Sequence, residues 1–214
     1  MSTDLLKRIK WLGHDGFEIT TGNLTLIIDP FKVEAARQAD IILITHPHYD
    51  HCSVEDVARL AKPTTVIVTE SESAEQLSAA DLPGEIRVVK PGDSVTVSGI
   101  GIEAVPAYNL DKHFHPKEKQ WLGFIVTIDG VRVYHAGDTD VIPEMDDLSV
   151  DIALLPVSGT YVMTAEEAVA AAKRIKPKTA IPMHYDSIVG TQADAVSFKE
   201  ALTGICEIVM PRRE

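Results

Sequence analysis

Residues 45–51 read Thr-His-Pro-His-Tyr-Asp-His, three histidines and an aspartate within seven positions. Solvated loops seldom need so many imidazoles, and a packed core could not satisfy them without special partners. In extended backbone His46 and His48 leave the same face, because side chains alternate along a strand. Asp50 and His51 follow within reach of the same point. Nitrogen and oxygen donors without cysteine pairs argue against a closed structural zinc site and for an open, catalytic metal site. The simpler reading, surface histidines on a polar loop, fits poorly with their place after the apolar run Ile41-Ile42-Leu43-Ile44.

Two further stretches repeat this arrangement. Val131–Tyr134 runs into His135-Ala136-Gly137-Asp138-Thr139-Asp140, and Thr179–Met183 runs into His184-Tyr185-Asp186. Taken alone, Asp138 reads as a turn aspartate and His184 as a half-buried histidine. Three ligand-capable strand ends together favour metal binding, since open sheets place their sites where strand ends converge.

The elements that must position these residues follow from the apolar pattern. Short strands are predicted over Ile9–Leu12, Phe17–Thr20 and Leu24–Ile28, with Gly22-Asn23 as a turn. Ala39–Thr45 is a continuous apolar run, as in a strand buried on both faces. Ser53 is a helix cap for Val54–Ala61, and Thr64–Thr69 and Ser71–Ala80 read as strand and helix. Short strands punctuated by glycines fill Ile86–Val105. Asp129-Gly130 joins Trp121–Ile128 to Val131–His135 as a hairpin. Asp151–Leu155 is a further buried strand. Thr164 and Glu167 form a capping box for a helix that stops before Pro177. Strand Thr179–Met183, a helix near Asp194–Leu202 and strand Ile205–Met210 complete the chain. Helices interspersed among strands fit one layered α/β sandwich, a single domain over residues 1–214.

The bulk properties exclude some classes. The 214 residues are 45% hydrophobic and 24% charged, ordinary for a globular protein. No apolar run reaches the roughly 18 residues of a membrane span, and the first residues lack a signal-peptide core. Two cysteines, Cys52 and Cys206, give no disulfide framework, which suits a reducing cytoplasm. A net charge of −12 argues against a nucleic-acid partner, whose phosphates it would repel. Two divalent ions would add about four positive charges locally, so an anionic small molecule stays open.

The combination H-x-H-x-D-H after a buried strand, Gly137-Asp138-Thr139 at a later strand end, and His184 resembles the metallo-β-lactamase superfamily. Leu12-Gly13-His14 and Ile28-Asp29-Pro30 extend the likeness over nearly the whole chain. Within that superfamily the sequence is similar to the small stand-alone metal-dependent hydrolases that include the ascorbate-6-phosphate lactonases. The resemblance implies an α+β fold, a four-layer αββα sandwich, with two divalent metal ions in a cleft at one edge. It makes His46 and His48 ligands of a first ion, Asp50, His51 and His184 ligands of a second, and Asp138 a bridge.

A third histidine for the first ion is expected near Val105-Pro106-Ala107-Tyr108-Asn109, but Asn109 is not one. His115, in His115-Pro116-Lys117, is the favoured candidate, because some relatives with an Ala-Tyr-Asn segment carry a comparable His-Pro-Lys. His113 is the alternative.

Two ions about 3.5–4 Å apart can share a water and bring its pKa toward neutrality, yielding hydroxide for hydrolysis of a small ester, lactone or phosphoester. With one ion only, Asp50 would be free to act as a general base. Zinc, manganese and iron all suit imidazole and carboxylate. Asp29 could accept a hydrogen bond from a ligand histidine. His14 and His135 could reach the cleft, and Tyr185 could donate to an oxyanion. Lys112, Lys117 and Lys119 hint at an anionic substrate. His48 speaks against flavodiiron redox chemistry, where a glutamate stands, and Asp138 against cysteine-ligated β-lactamases. A non-catalytic metal or ligand sensor retaining the fold is the alternative to the hydrolase.

Overall fold

The structure, a computed structural model, describes residues 2–34 and 36–213. Its strands follow the apolar runs. The first sheet contains β1 (Ile9–Gly13), β2 (Gly16–Thr21), β3 (Leu24–Ile28), β4 (Ile41–Leu43), β5 (Val66–Thr69) and β6 (Glu85–Val88), in that order. The β1–β2 and β2–β3 pairs are antiparallel, while β3 to β6 run parallel.

The second sheet contains β7 (Ser94–Val97), β8 (Ile100–Pro106), β9 (Leu122–Ile128), β10 (Val131–His135), β11 (Ile152–Pro156), β12 (Thr179–Met183) and β13 (Glu207–Ile208), again in chain order. Here β7 to β10 are antiparallel and β10 to β13 parallel. Each sheet thus changes from antiparallel to parallel pairing, at β3 in one and β10 in the other.

Strand alternation explains the layers. In β3 and β4 the side chains of Leu26, Ile28, Ile41 and Leu43 join the core shared with the second sheet. Their neighbours Ile27 and Ile42 face the other way, onto Val57, Leu60 and Leu77. Those three belong to the helices α2 (Val54–Leu60) and α3 (Ser71–Ala79), which follow the short α1 (Ser2–Leu6) in the chain. The second sheet packs against α4 (Ala165–Ile175) and α5 (Gln192–Leu202), through Ala168, Ala172, Phe198 and Leu202 among others. Helix, sheet, sheet, helix is the four-layer αββα sandwich. Side chains of this size contribute about 1.5–3 kcal/mol each when fully buried, and both strand faces here are covered.

The helix starts match their expected caps. The Ser53 hydroxyl accepts from the Asp56 N–H at 3.3 Å, and Thr164 and Glu167 close their capping box. Helix α4 ends at Ile175, and Lys176 takes a left-handed conformation (φ +54°) before Pro177. Two elements are shorter than their apolar runs. Ala39–Thr45 keeps ladder pairing only over Ile41–Leu43, because the chain then turns out to form the site. Ile205–Met210 pairs only at Glu207–Ile208, on the sheet edge.

Candidate metal centre

The carboxyl ends of the parallel strands deliver the polar residues. Asp29 follows β3, His46–His51 follow β4, Asp138 follows β10, Ser158 follows β11 and His184 follows β12. These ends surround the positions where strand direction changes, the place where open sheets bind ligands. Asp138 needs Gly137 before it. Gly137 has φ +61°, and a Cβ there would lie 2.6 Å from the Leu122 carbonyl oxygen. Only glycine lets the chain leave β10 so close to β9 and aim the next carboxylate inward.

Among the described residues five overlapping donor groups occur, and two of them hold most of the expected ligands. His46, His48 and His115 make one, and His14, Asp50, His51 and His184 make the other, each with its donor atoms within 4.8 Å of one another. Asp138 lies between them: its carboxylate is 3.1 Å from His115 Nε2, 3.4 Å from His51 Nε2, 3.4 Å from His184 Nε2 and 3.9 Å from His46 Nε2. All seven residues singled out in the sequence therefore meet in one cleft. His115 is buried there, whereas His113 is exposed.

The imidazoles are anchored from behind. His51 Nδ1 lies 2.9 Å from Asp29 Oδ2, His115 Nδ1 is 3.0 Å from Asn109 Oδ1, and His184 Nδ1 is 2.7 Å from Ser158 Oγ. Thr45 donates to Asp29 through both its N–H and its hydroxyl, at 2.8 and 2.6 Å, which holds that carboxylate in place. The opposite ring nitrogens are left over. Nε2 of His51, His115 and His184 and Oδ1 of Asp138 are buried with no hydrogen-bond partner among the described residues. Orphaned buried donors and acceptors on this scale are costly. A cation coordinated by them would remove that cost, so the donor set fits divalent metal ions.

Electrostatics agree with ligand duty. Burial holds His46 well below the usual imidazole range and also lowers His48, which keeps both in the neutral, coordinating form. Burial pushes the Asp50 carboxyl up, but the His14 hydrogen bond and the nearby His51 outweigh it and bring it down to about 2. For Asp138 too, burial is outweighed, here by His184, His51 and His115, and its pKa falls well below the carboxylate range. Burial would lower His51 and His184, yet Asp138 holds both above their ordinary value. Protons so held are those a bound cation would displace.

Some residues lie differently from expectation, or were not singled out. His14 stands at the β1–β2 turn with φ +52°, and its Nε2 is 3.1 Å from Asp50 Oδ2, so it braces that carboxylate within the second group. His135 turns away from the cleft, its Nε2 2.8 Å from the Asp15 carbonyl oxygen. Tyr185 is fully buried with its ring stacked on Trp11 at 4.9 Å, a packing role. Cys52 is buried, and burial pushes its thiol up to about 12, which makes it a poor ligand. Lys112 pairs with Asp140 at 2.6 Å, Lys117 with Glu144 at 3.0 Å and Lys119 with Glu72 at 2.7 Å, so the hint of an anionic substrate loses its support. Asn109, Ser158 and the Trp121 ring, which packs 5.1 Å from His46 and 4.9 Å from His48, carried no signal in the sequence.

Fold and donor set define a metal-dependent hydrolase of the metallo-β-lactamase class, and comparison with known proteins agrees. The family model for the Beta-lactamase superfamily domain matches residues 8–184. The UPF0173 metal-dependent hydrolase of Thermococcus onnurineus is 32% identical, with 95% of each chain covered, and that of Methanoregula boonei is 37% identical over 91% of this chain and 89% of its own. A crystal structure of a candidate metal-dependent hydrolase from Parabacteroides distasonis superposes with a TM-score of 0.84 at 36% identity, covering 96% of this chain and 93% of that one. The chain belongs to the metallo-β-lactamase superfamily, in its family of UPF0173 metal-dependent hydrolases.

Proposed function

We propose that the cleft holds two divalent cations, zinc or manganese with iron also suited to the donors, and that the protein hydrolyses a small ester, lactone or phosphoester in the cytoplasm. On this reading His46, His48 and His115 hold one ion, Asp50, His51 and His184 the other, and Asp138 both. The observation that carries it is the set of inward-facing, unpartnered atoms on His51, His115, His184 and Asp138, each histidine fixed from behind by a different residue. Two such ions, when bound, supply Lewis-acid polarisation of the scissile group and a water of lowered pKa.

The chain's own residues set up that chemistry. Asp29, Asn109 and Ser158 fix which ring nitrogen of each histidine faces the cleft. His14 orients Asp50, and a carboxylate held near 2 is a better ligand than a proton acceptor at neutral pH. Trp121 closes the site behind His46 and His48 and keeps water from that side. The sensor reading rested on an uncertain third histidine, and the proximity of His115 to His46 and His48 supports the hydrolase over it. The free cysteines accord with a reducing compartment.

Elemental analysis of stripped and refilled protein tests the reading. Two ions per chain are expected, with hydrolysis in a screen of lactones against bis(p-nitrophenyl) phosphate. His48→Ala should lose one ion and at least 100-fold in turnover, of the order that removal of a metal ligand implies. Protein that holds no ion after refilling, or a His48→Ala variant with full turnover, would overturn it.

A further inference from the structure

We propose that the opening above the metal centre selects an uncharged substrate, a carboxylic ester or lactone carrying an aromatic or branched aliphatic group beside the scissile bond. This rests on the hydrolase reading of the same site. The opening is a cavity of about 220 Å³ whose floor includes His48, Asp50, His115 and Asp138. Its walls are Tyr49, Phe114, Tyr161 and Ile188. They come from four separate connections, after β4, before β9, after β11 and after β12.

The walls are apolar where solvent would favour polar residues. Among the described residues seven large hydrophobic side chains are exposed, and Tyr49, Phe114 and Ile188 are three of them. Such clustering at one concave place marks a binding site rather than chance exposure. The rings are also held in place. Phe114 meets Tyr161 edge-on at 4.7 Å and 79°, and Tyr49 meets Phe31 edge-on at 5.7 Å and 77°. Edge-to-face pairs of this geometry are favourable beyond the area they bury, so these walls are set before a ligand arrives and offer flat apolar surface to an aromatic or branched group.

Charge decides between substrate classes. Among the described residues no lysine or arginine lines the cavity, and Lys112, close by in sequence, is committed to Asp140. Phosphoryl groups are held by arginine, lysine or metal clamps, and here the ions alone would have to serve. A second anionic group on the substrate would here lie against phenyl and phenol faces with nothing to pair it. A neutral ester brings no such cost. In the reaction water adds across the acyl carbon–oxygen bond: the bond to the leaving oxygen breaks, a new carbon–oxygen bond forms, and a water proton ends on the leaving oxygen. The products are a carboxylic acid and an alcohol, or one hydroxy acid from a lactone.

The test uses the full chain and four probes: benzyl acetate, ethyl acetate, monobenzyl succinate and bis(p-nitrophenyl) phosphate. On the metal-loaded protein kcat/KM for benzyl acetate should exceed that for ethyl acetate by about tenfold or more, as burying a ring implies, and should also exceed that for monobenzyl succinate, whose carboxylate finds no cation in the walls. Phe114→Ala should raise KM about tenfold with kcat little changed, and Ile188→Arg should shift preference toward monobenzyl succinate. Saturation-transfer NMR on metal-stripped protein gives a readout free of turnover: benzyl acetate should bind, and bind more weakly to Phe114→Ala. Faster cleavage of either anionic probe would overturn the substrate class and leave the hydrolase standing. Loss of all ion binding would remove the hydrolase, yet the NMR result would still decide the cavity. Absence of benzyl acetate binding overturns the proposal in every case.

Discussion

Asn109 shows how much one side chain can determine. Its Oδ1 accepts from both the backbone N–H and the Nδ1 of His115, each at 3.0 Å, while its amide donates to Asp140 at 3.2 Å and to the Tyr161 carbonyl at 3.0 Å. Removing it frees the ring without touching a ligand. Asn109→Ala should therefore weaken the ion at His46, His48 and His115 by about 10–100-fold, the usual effect of losing a group that orients a ligand. Competition with a chelator measures this, and unchanged affinity would mean that Asn109 only packs. In the sequence Asn109 stands where a histidine was sought, and nothing about an asparagine says that it will hold another residue's ring. His46, His48, Asp50 and His51 were legible because a short segment concentrates them. His14 was less so: its reach to Asp50 depends on a left-handed backbone and on a partner far along the chain.

At the scale of elements, Asp40 ties three strands together. Its carboxylate accepts from the Thr25 N–H at 2.8 Å, within β3, and from Lys62 Nζ at 2.7 Å, ahead of β5, while the chain continues into β4. Burial raises its pKa, but Lys62 and the Thr25 N–H outweigh this and the net shift is downward. A carboxyl depressed in the fold stabilises above its unfolded value, about 3.9, and that contribution is lost as pH falls through the folded value. Asp40→Asn should cost about 1 kcal/mol at pH 7, and the gap to wild type should close below about pH 4. Urea unfolding at pH 7 and pH 3 checks this, and an equal gap at both would contradict it.

Elements themselves were readable where periodicity and caps agreed, as at Ser53 and Thr164. They were less so where tertiary context decides. The short helix Ser2–Leu6 and the 3-10 turns at Lys117–Lys119 and Pro143–Asp147 have no strong local pattern. Strand order within the two sheets was beyond any local signal.

For the whole molecule, the site joins what the core already joins. His46 to His51 lie on a connection of the first sheet, while His115, Asp138 and His184 lie on connections of the second. Ions bound only by the folded state would stabilise it by about 2.7 kcal/mol at a hundredfold excess over Kd. In a chain of this length that raises Tm by about 5–10 °C. Thermal melts of refilled and chelator-treated protein should differ by that amount, and identical melts would exclude a shared metal clasp.

The two donor groups also differ in when a growing chain can assemble them. His46, His48 and His115 have all been made once the chain reaches residue 115, but the other group pairs His14 of the first hairpin with His184 after β12, their rings 4.1 Å apart. During synthesis the first group can gather while much of the second sheet is still unmade. The second must wait until β12 has been added beside its neighbours. The order of translation therefore imposes an order on the site, with the His14–His184 side closing last.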